Sequence, residues 1–201
     1  MGRTIYLLRH CQPEVPPGER LCLGHTDVPL AQAGWAQAAQ LAEKFGGRSI
    51  RAVYSSDLKR SYQTAQVLAD ALTLPLSERT DLREIDMGAW DGLTFAEIRR
   101  RWPEAYRRRG EMIWQYAPPG GESFACCARR ADQALAAILA ESQGDVLIVA
   151  HSGLNRALLW QGGVRPPAGL LAIEQAYGCV NRLSVEQEHG WLVQSTGECW
   201  I

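Results

Sequence analysis

Two short apolar runs, Ile5-Tyr6-Leu7-Leu8 and Val146-Leu147-Ile148-Val149-Ala150, both lead straight into histidine, the first through Arg9-His10 and the second through His151-Ser152-Gly153. Unbroken apolar runs of this length, set among stretches of helical periodicity, are what strands covered on both faces of a parallel sheet require. Such sheets present functional groups at the carboxyl ends of their strands, so the two imidazoles are expected to meet in one site. Arg9 beside the first of them fits an anionic substrate, a phosphate above all, because the guanidinium fork matches phosphate geometry. Taken singly, either histidine reads as a packed or surface residue. The repeated context selects the functional reading.

The rest of the chain alternates around these runs. Residues 4–9 read as a strand, and residues 10–30, with Pro13, Pro16, Pro17, Gly18, Gly24 and Pro29, as an irregular loop. Ala31 to Phe45 has apolar residues at helical spacing and is stopped by Gly46-Gly47. Arg51 to Ser55 reads as a second strand, with Ser56-Asp57 capping a helix that runs to about Leu72. Leu74 to Ser77 fits a short edge strand, since Pro75 cannot serve a central one.

Glu84 to Pro119 is rich in Trp and Arg and holds at most two short helices, split near Pro103; it reads as a cap over the sheet. Glu122 to Glu141 is an amphipathic helix, Asp145 to Ala150 a buried strand, and Ser152 to about Gln161 a further helix. Cys179–Glu186 and Trp191–Ser195 read as a hairpin closed around Glu188-His189-Gly190. The pattern predicts one α/β domain over residues 1–201, a three-layer α/β/α sandwich with a mostly parallel central sheet and a cap at about 84–119.

Bulk properties narrow the function by exclusion. A formal net charge of −1 gives no overall attraction to nucleic acid, so anion binding must come from a local cluster of arginines. The apolar runs fall far short of the roughly 20 residues that span a bilayer. The six cysteines form no C-x-x-C, so they are expected to be reduced and mostly buried, with the protein in the cytoplasm. The expected partner is a small-molecule phosphate ester, with neither nucleic acid nor membrane; a homodimer is admitted. No P-loop, G-x-G-x-x-G, G-x-S-x-G or H-E-x-x-H occurs, and no cysteine is followed six residues later by arginine. Neither a cofactor nor a metal is expected.

Histidine chemistry remains. An imidazole attacks phosphorus when one nitrogen is unprotonated and the other is held by a hydrogen bond. The transferring group then needs positive charge, and the leaving oxygen a proton. His10 is the candidate nucleophile. Arg9 and Arg60 supply charge, Arg60 from the first turns of the helix after strand two, where a helix N-terminus adds to it. His151 can donate to a phosphate oxygen, and Glu84, just before the cap, is the candidate proton donor. Taken alone, Arg60 reads as a solvated helix arginine and Glu84 as a surface carboxylate paired with Arg83. The runs Arg99-Arg100-Arg101 and Arg107-Arg108-Arg109 read as solvated faces rather than a substrate funnel.

These residues belong to a longer series in fixed order: Leu8-Arg9-His10, Gly24-His25-Thr26-Asp27, Ser55-Ser56-Asp57-Leu58-Lys59-Arg60, Leu82-Arg83-Glu84, Gly88-Ala89-Trp90-Asp91-Gly92, Pro119-Gly120-Gly121-Glu122-Ser123, and Val149-Ala150-His151-Ser152-Gly153. The series resembles the histidine phosphatase superfamily, phosphoglycerate mutase-like branch, over about residues 4–185. The resemblance implies a metal-independent phosphomonoesterase with His10 as phosphohistidine nucleophile. It implies Arg9, Arg60 and His151 as the phosphate pocket, Glu84 as acid and then base, and Ser152, Gly24 and Glu122 as further substrate-binding positions. One departure stands beside the nucleophile, where the family usually has glycine and this chain has Cys11, a residue open to thiol oxidation. The segments Trp114–Phe124 and Tyr177–Asn181 are similar to α-ribazole phosphatases of cobalamin biosynthesis. A phosphoglycerate mutase and a sugar-phosphate phosphatase are the alternatives, and an inactive regulatory binding protein on the same fold is a different class.

Overall fold

The computed structural model describes the chain except for residues 1, 17, 19 and 187–189, so most of the proposed hairpin turn, Glu188-His189, lies outside the described residues. Six strands form one sheet: β1 (Thr4–Arg9), β2 (Ile50–Ser55), β3 (Leu76–Glu78), β4 (Asp145–Ala150), β5 (Val180–Glu186) and β6 (Gly190–Glu198). Their order across the sheet is β3-β2-β4-β1-β5-β6. The pairs β3/β2, β2/β4 and β4/β1 are parallel, while β5 and β6 join antiparallel. Short β3 lies at one edge, where Pro75 removes no ladder bond.

The described residues form six α-helices: α1 (Gln32–Phe45), α2 (Lys59–Leu72), α3 (Phe95–Arg101), α4 (Pro103–Glu111), α5 (Phe124–Glu141) and α6 (Ser152–Gln161). Side chains alternate across the sheet. Tyr6, Leu8, Leu147 and Val149 pack with Leu41, Phe45 and Leu68 of α1 and α2, whereas Ile5, Leu7, Val146 and Ile148 pack with Leu135, Ile138 and Leu158 of α5 and α6. Covering both faces explains why β1 and β4 are apolar without a break. The three-layer sandwich is as the sequence implies.

Local chemistry sets the helix starts. Ser123 caps α5 by accepting from Cys126 N at 3.2 Å. Thr94 and Glu97 form a reciprocal capping box at α3. Pro103 occupies the first position of α4 and separates it from α3. The start of α2 differs from the sequence reading. Leu58, not Ser56 or Asp57, sits at its N-cap position. Ser56 Oγ accepts from Leu58 N at 3.1 Å, and Asp57 pairs with Arg83 at 2.8 Å. Ser56 is thus used within the turn before α2, and Asp57 is drawn to a partner on another segment.

The loop after β1 is irregular, as expected, but it is anchored. Gly34 on α1 lies under it, and a Cβ there would meet Gln12 O at 2.1 Å. Gly34→Ala is therefore expected to lose about 1–3 kcal/mol through overpacking, despite alanine's better helix propensity. Urea unfolding of the variant measures the loss; equal stability would show that the loop yields freely.

Candidate active site

The register of β1 against β4 builds the centre of the site. Arg9 pairs with Ala150, and His10 N donates to Ala150 O at 2.9 Å, so His10 and His151 leave adjacent strands side by side. Their ring centroids are 5.1 Å apart. Both are buried, as is Arg60, which is 1% exposed despite its charge.

Hydrogen bonding fixes the state of His10. Its Nδ1 lies 2.7 Å from Cys11 O, and a carbonyl can only accept, so Nδ1 carries the proton and Nε2 keeps its lone pair. Burial, followed by the charges of Arg60 and Arg9, holds the ring's pKa well below its ordinary value. His151 is depressed in the same way, by burial and then Arg60. Its Nε2 lies 2.8 Å from Ser56 Oγ, and its buried Nδ1 has no partner among the described residues. Since Ser56 Oγ already accepts from Leu58 N, its hydrogen can be given to His151 Nε2, which leaves Nδ1–H as a donor.

Both arginines are held through one side of the guanidinium. Arg9 Nη1 donates to Gln175 O at 2.5 Å, and its Cζ lies 3.9 Å from the centre of the Tyr177 ring. Arg60 donates to Thr26 O at 2.8 Å and Gly24 O at 2.7 Å. The Nε of each is buried without a partner among the described residues. Orphaned buried donors of this kind are what phosphate oxygens would satisfy.

Glu84 comes from the loop that follows β3, and its carboxylate lies against the start of α6. It accepts from Ile85 N and Leu154 N at 2.9 Å and from Gly153 N at 3.0 Å. Gly153 permits this approach, because a Cβ there would meet Glu84 Oε1 at 2.6 Å. Arg83 turns away to Asp57 rather than pairing with Glu84.

Arg9, His10, Arg60, Glu84 and Ser152 all line one cavity of about 410 Å³. Three expected positions lie off its wall. His151 is fully buried beside His10. Gly24 contributes its carbonyl to Arg60 from behind. Glu122 pairs with Arg130 at 2.7 Å, and Arg130 also donates to the carbonyls of Asp81, Arg83 and Glu84. Glu122 thus braces the loop that carries Glu84, since its charge is engaged by a neighbour on α5.

Cys11 is fully buried, and burial pushes its thiol up to about 12, so it is not the oxidisable group its position indicated. Sequence reasoning missed Tyr177, Arg109 and Arg156, and the loop residues Val15, Leu21 and Leu23, as parts of the wall. Among the described residues no group of three or more His, Cys, Asp or Glu is arranged to hold a metal ion, and no helix is long and apolar enough to cross a membrane.

A parallel sheet that brings a neutral imidazole, a second histidine and two guanidiniums together, facing a carboxylate, is an arrangement suited to phosphoryl transfer through histidine. The chain belongs to the histidine phosphatase superfamily, branch 1, whose family profile matches residues 5–197. A bifunctional protein of Mycobacterium tuberculosis is 40% identical over 184 residues, which are 90% of this chain but 47% of that protein, so the chain spans about half of that relative. A glucosyl-3-phosphoglycerate phosphatase of M. tuberculosis is 37% identical, with 78% of this chain and 74% of the relative covered. The native structure of the mycobacterial glucosyl-3-phosphoglycerate phosphatase superposes with a TM-score of 0.86 at 30% identity, covering 99% of this chain and 100% of that one. An α-ribazole phosphatase from Shigella flexneri, at 23% identity and a TM-score of 0.83 over 97% of this chain and 96% of its own, shares the fold.

The two depressed histidines make a prediction about stability. Once unfolded, each ring returns to a pKa near 6.5 and takes up a proton that the folded state refuses. Folding stability is therefore expected to fall as pH drops below about 6.5, with up to two protons taken up on unfolding. Urea titrations at pH 7.5, 6.5 and 5.5 read the slope, and His10→Asn should flatten it. Identical slopes in the variant and the wild type would contradict a neutral buried His10.

Proposed function

We propose that this chain hydrolyses phosphate monoesters through a phosphohistidine on His10, without a metal ion. The observation that carries the reading is the Nδ1–H bond from His10 to the Cys11 carbonyl, which leaves Nε2 free to attack in a cavity supplied with unpaired guanidinium donors. In the first step Nε2 bonds to phosphorus as the ester P–O bond breaks. Arg9, Arg60 and His151 Nδ1–H stabilise charge on the equatorial oxygens. Glu84 delivers its proton to the leaving oxygen, then takes one from the water that attacks the phosphohistidine, so phosphate leaves and both groups are restored. The full set of reacting groups, each already oriented, argues against an inactive binding protein.

Water has a route to the intermediate. Phe95 and Leu171 line the cavity and are 38% and 59% exposed, so the cavity is open to solvent there. That favours hydrolysis over the sealed site a mutase needs. For the substrate, kinship with glucosyl-3-phosphoglycerate phosphatases at 37% identity supports a phosphorylated glycerate or a relative of one. α-Ribazole 5′-phosphate has weaker support. Trp90, inside the Gly88–Gly92 motif, is locked in the core at 1% exposure, and Arg9 already stacks on Tyr177. Six free cysteines fit a reducing cytoplasm.

His10→Ala is expected to abolish turnover with the fold intact, while acid-quenched wild type yields acid-labile phosphate on His10. Phosphate recovered on Ser152 instead would overturn the assignment. Arg60→Ala should cost about 10²–10³ in rate, measured with p-nitrophenyl phosphate. From 3-phosphoglycerate, phosphate release is expected to outrun formation of 2-phosphoglycerate; the opposite partition, read by coupled assay, would make the enzyme a mutase. Chelators should leave all these rates unchanged.

A further inference from the structure

The arginines divide by location. Arg79, Arg83, Arg101, Arg107, Arg130 and Arg182 each make an ion pair, and none of them lines the cavity. Five other arginines do line it, namely Arg9, Arg20, Arg60, Arg109 and Arg156. Among the described residues Arg9, Arg60, Arg109 and Arg156 have no carboxylate within ion-pair distance, and Glu84 is the one acidic residue on the wall. The cavity is far more cationic than a single phosphoryl group demands.

Three members of this set are not used by the phosphoryl chemistry: Arg20 is exposed, Arg156 is tied to Ser152 Oγ and the Ile173 carbonyl, and there remains Arg109. It stands in the last turn of α4, in a run of three arginines that the sequence presents as a solvated face. Arg107 behaves that way, pairing with Glu104 at 2.6 Å and with Glu111 at 2.5 Å, and Arg108 is exposed. Arg109 instead turns inward. Its guanidinium lies 5.3 Å from the Phe124 ring and 5.9 Å from the Trp90 ring, with the Tyr116 carbonyl at 3.4 Å and the Met87 sulfur at 3.8 Å. These partners orient a cation but do not neutralise it. Nearby Cys22 gives no counter-charge either, since burial holds its thiol at about 12. A guanidinium kept partly out of water without an anion costs free energy that an anionic ligand group would recover.

The geometry points to Arg109 as the anchor for a second negative charge on the leaving group, so that the preferred substrates are phosphate monoesters that also carry a carboxylate. The neighbouring wall, with Leu21, Phe95, Ile113 and Phe124, is apolar, and among the described residues it presents no Asp, Asn or Gln side chain to bond sugar hydroxyls. Specificity is thus expected to rest on charge at the cap rather than on reading a polyol. This inference rests on the phosphatase reading above.

The test compares 3-phosphoglycerate with glycerol 3-phosphate, which differ in a carboxylate against a hydroxymethyl group. Wild type is expected to favour 3-phosphoglycerate by tenfold or more in kcat/KM, as one charge-assisted contact supplies. Arg109→Gln should lose at least tenfold on 3-phosphoglycerate and no more than about threefold on glycerol 3-phosphate, mostly through KM, and Arg109→Lys should keep part of the preference. Turnover of glycerol 3-phosphate shows that each variant is folded. No preference in wild type, an unchanged preference in Arg109→Gln, or equal losses on both substrates would each overturn the assignment. The phosphatase reading fails separately, if wild type releases no phosphate from p-nitrophenyl phosphate; hydrolysis without a carboxylate preference sinks only the role of Arg109.

Discussion

The parallel pairing of β1 with β4 is the constraint on which the site depends. Because Arg9 stands opposite Ala150, the next residue on each strand is a histidine at the same height, and the second ring needs no loop to bring it there. A slip of one residue would send every side chain of the strand to the opposite face. Apolar burial on both faces forbids that slip, since Leu7 and Leu8 pack into different cores. Hydrophobic packing therefore sets the distance between the two histidine rings.

Electrostatics then act on what the register has placed. Desolvation would ordinarily discourage a guanidinium as buried as Arg60, yet it stays charged beside two rings that it helps to keep neutral. Positive charge and unprotonated imidazole thus support one another: the arginines lower the affinity of His10 for a proton, and a neutral His10 spares them a third cation. The carboxylate of Glu84 stands across from them, held by backbone donors rather than by an arginine.

The layers of the sandwich, the two histidines and Arg60 were legible in the sequence because apolar periodicity and strand ends are local signals. Orientation was not. Glu122 sits in a motif beside the site, yet Arg130 eight residues on claims its charge. Arg107 and Arg109 share one charged run, and only the rings of Trp90 and Phe124, distant in sequence, decide which of them turns inward. Ser56 has the chemistry of a cap, but His151 arrives next to it from a strand 95 residues later. The loop at residues 10–30 lacks any period, so its part as a cavity wall came only from tertiary contacts.

Residues 24–26 lie between two opposite charges. Their backbone N–H groups, from Gly24 and Thr26, donate to the two oxygens of Asp91 at 2.7 Å, while their carbonyls accept from Arg60. Asp91 belongs to the cap segment, and Arg60 lines the cavity. The cap is consequently not a separable module. Exchanging it for that of a relative, in order to transplant substrate preference, would also release the peptide units that seat Arg60. A successful graft must carry Asp91 and the 24–26 segment together, or the seat of Arg60 will be lost with the old cap.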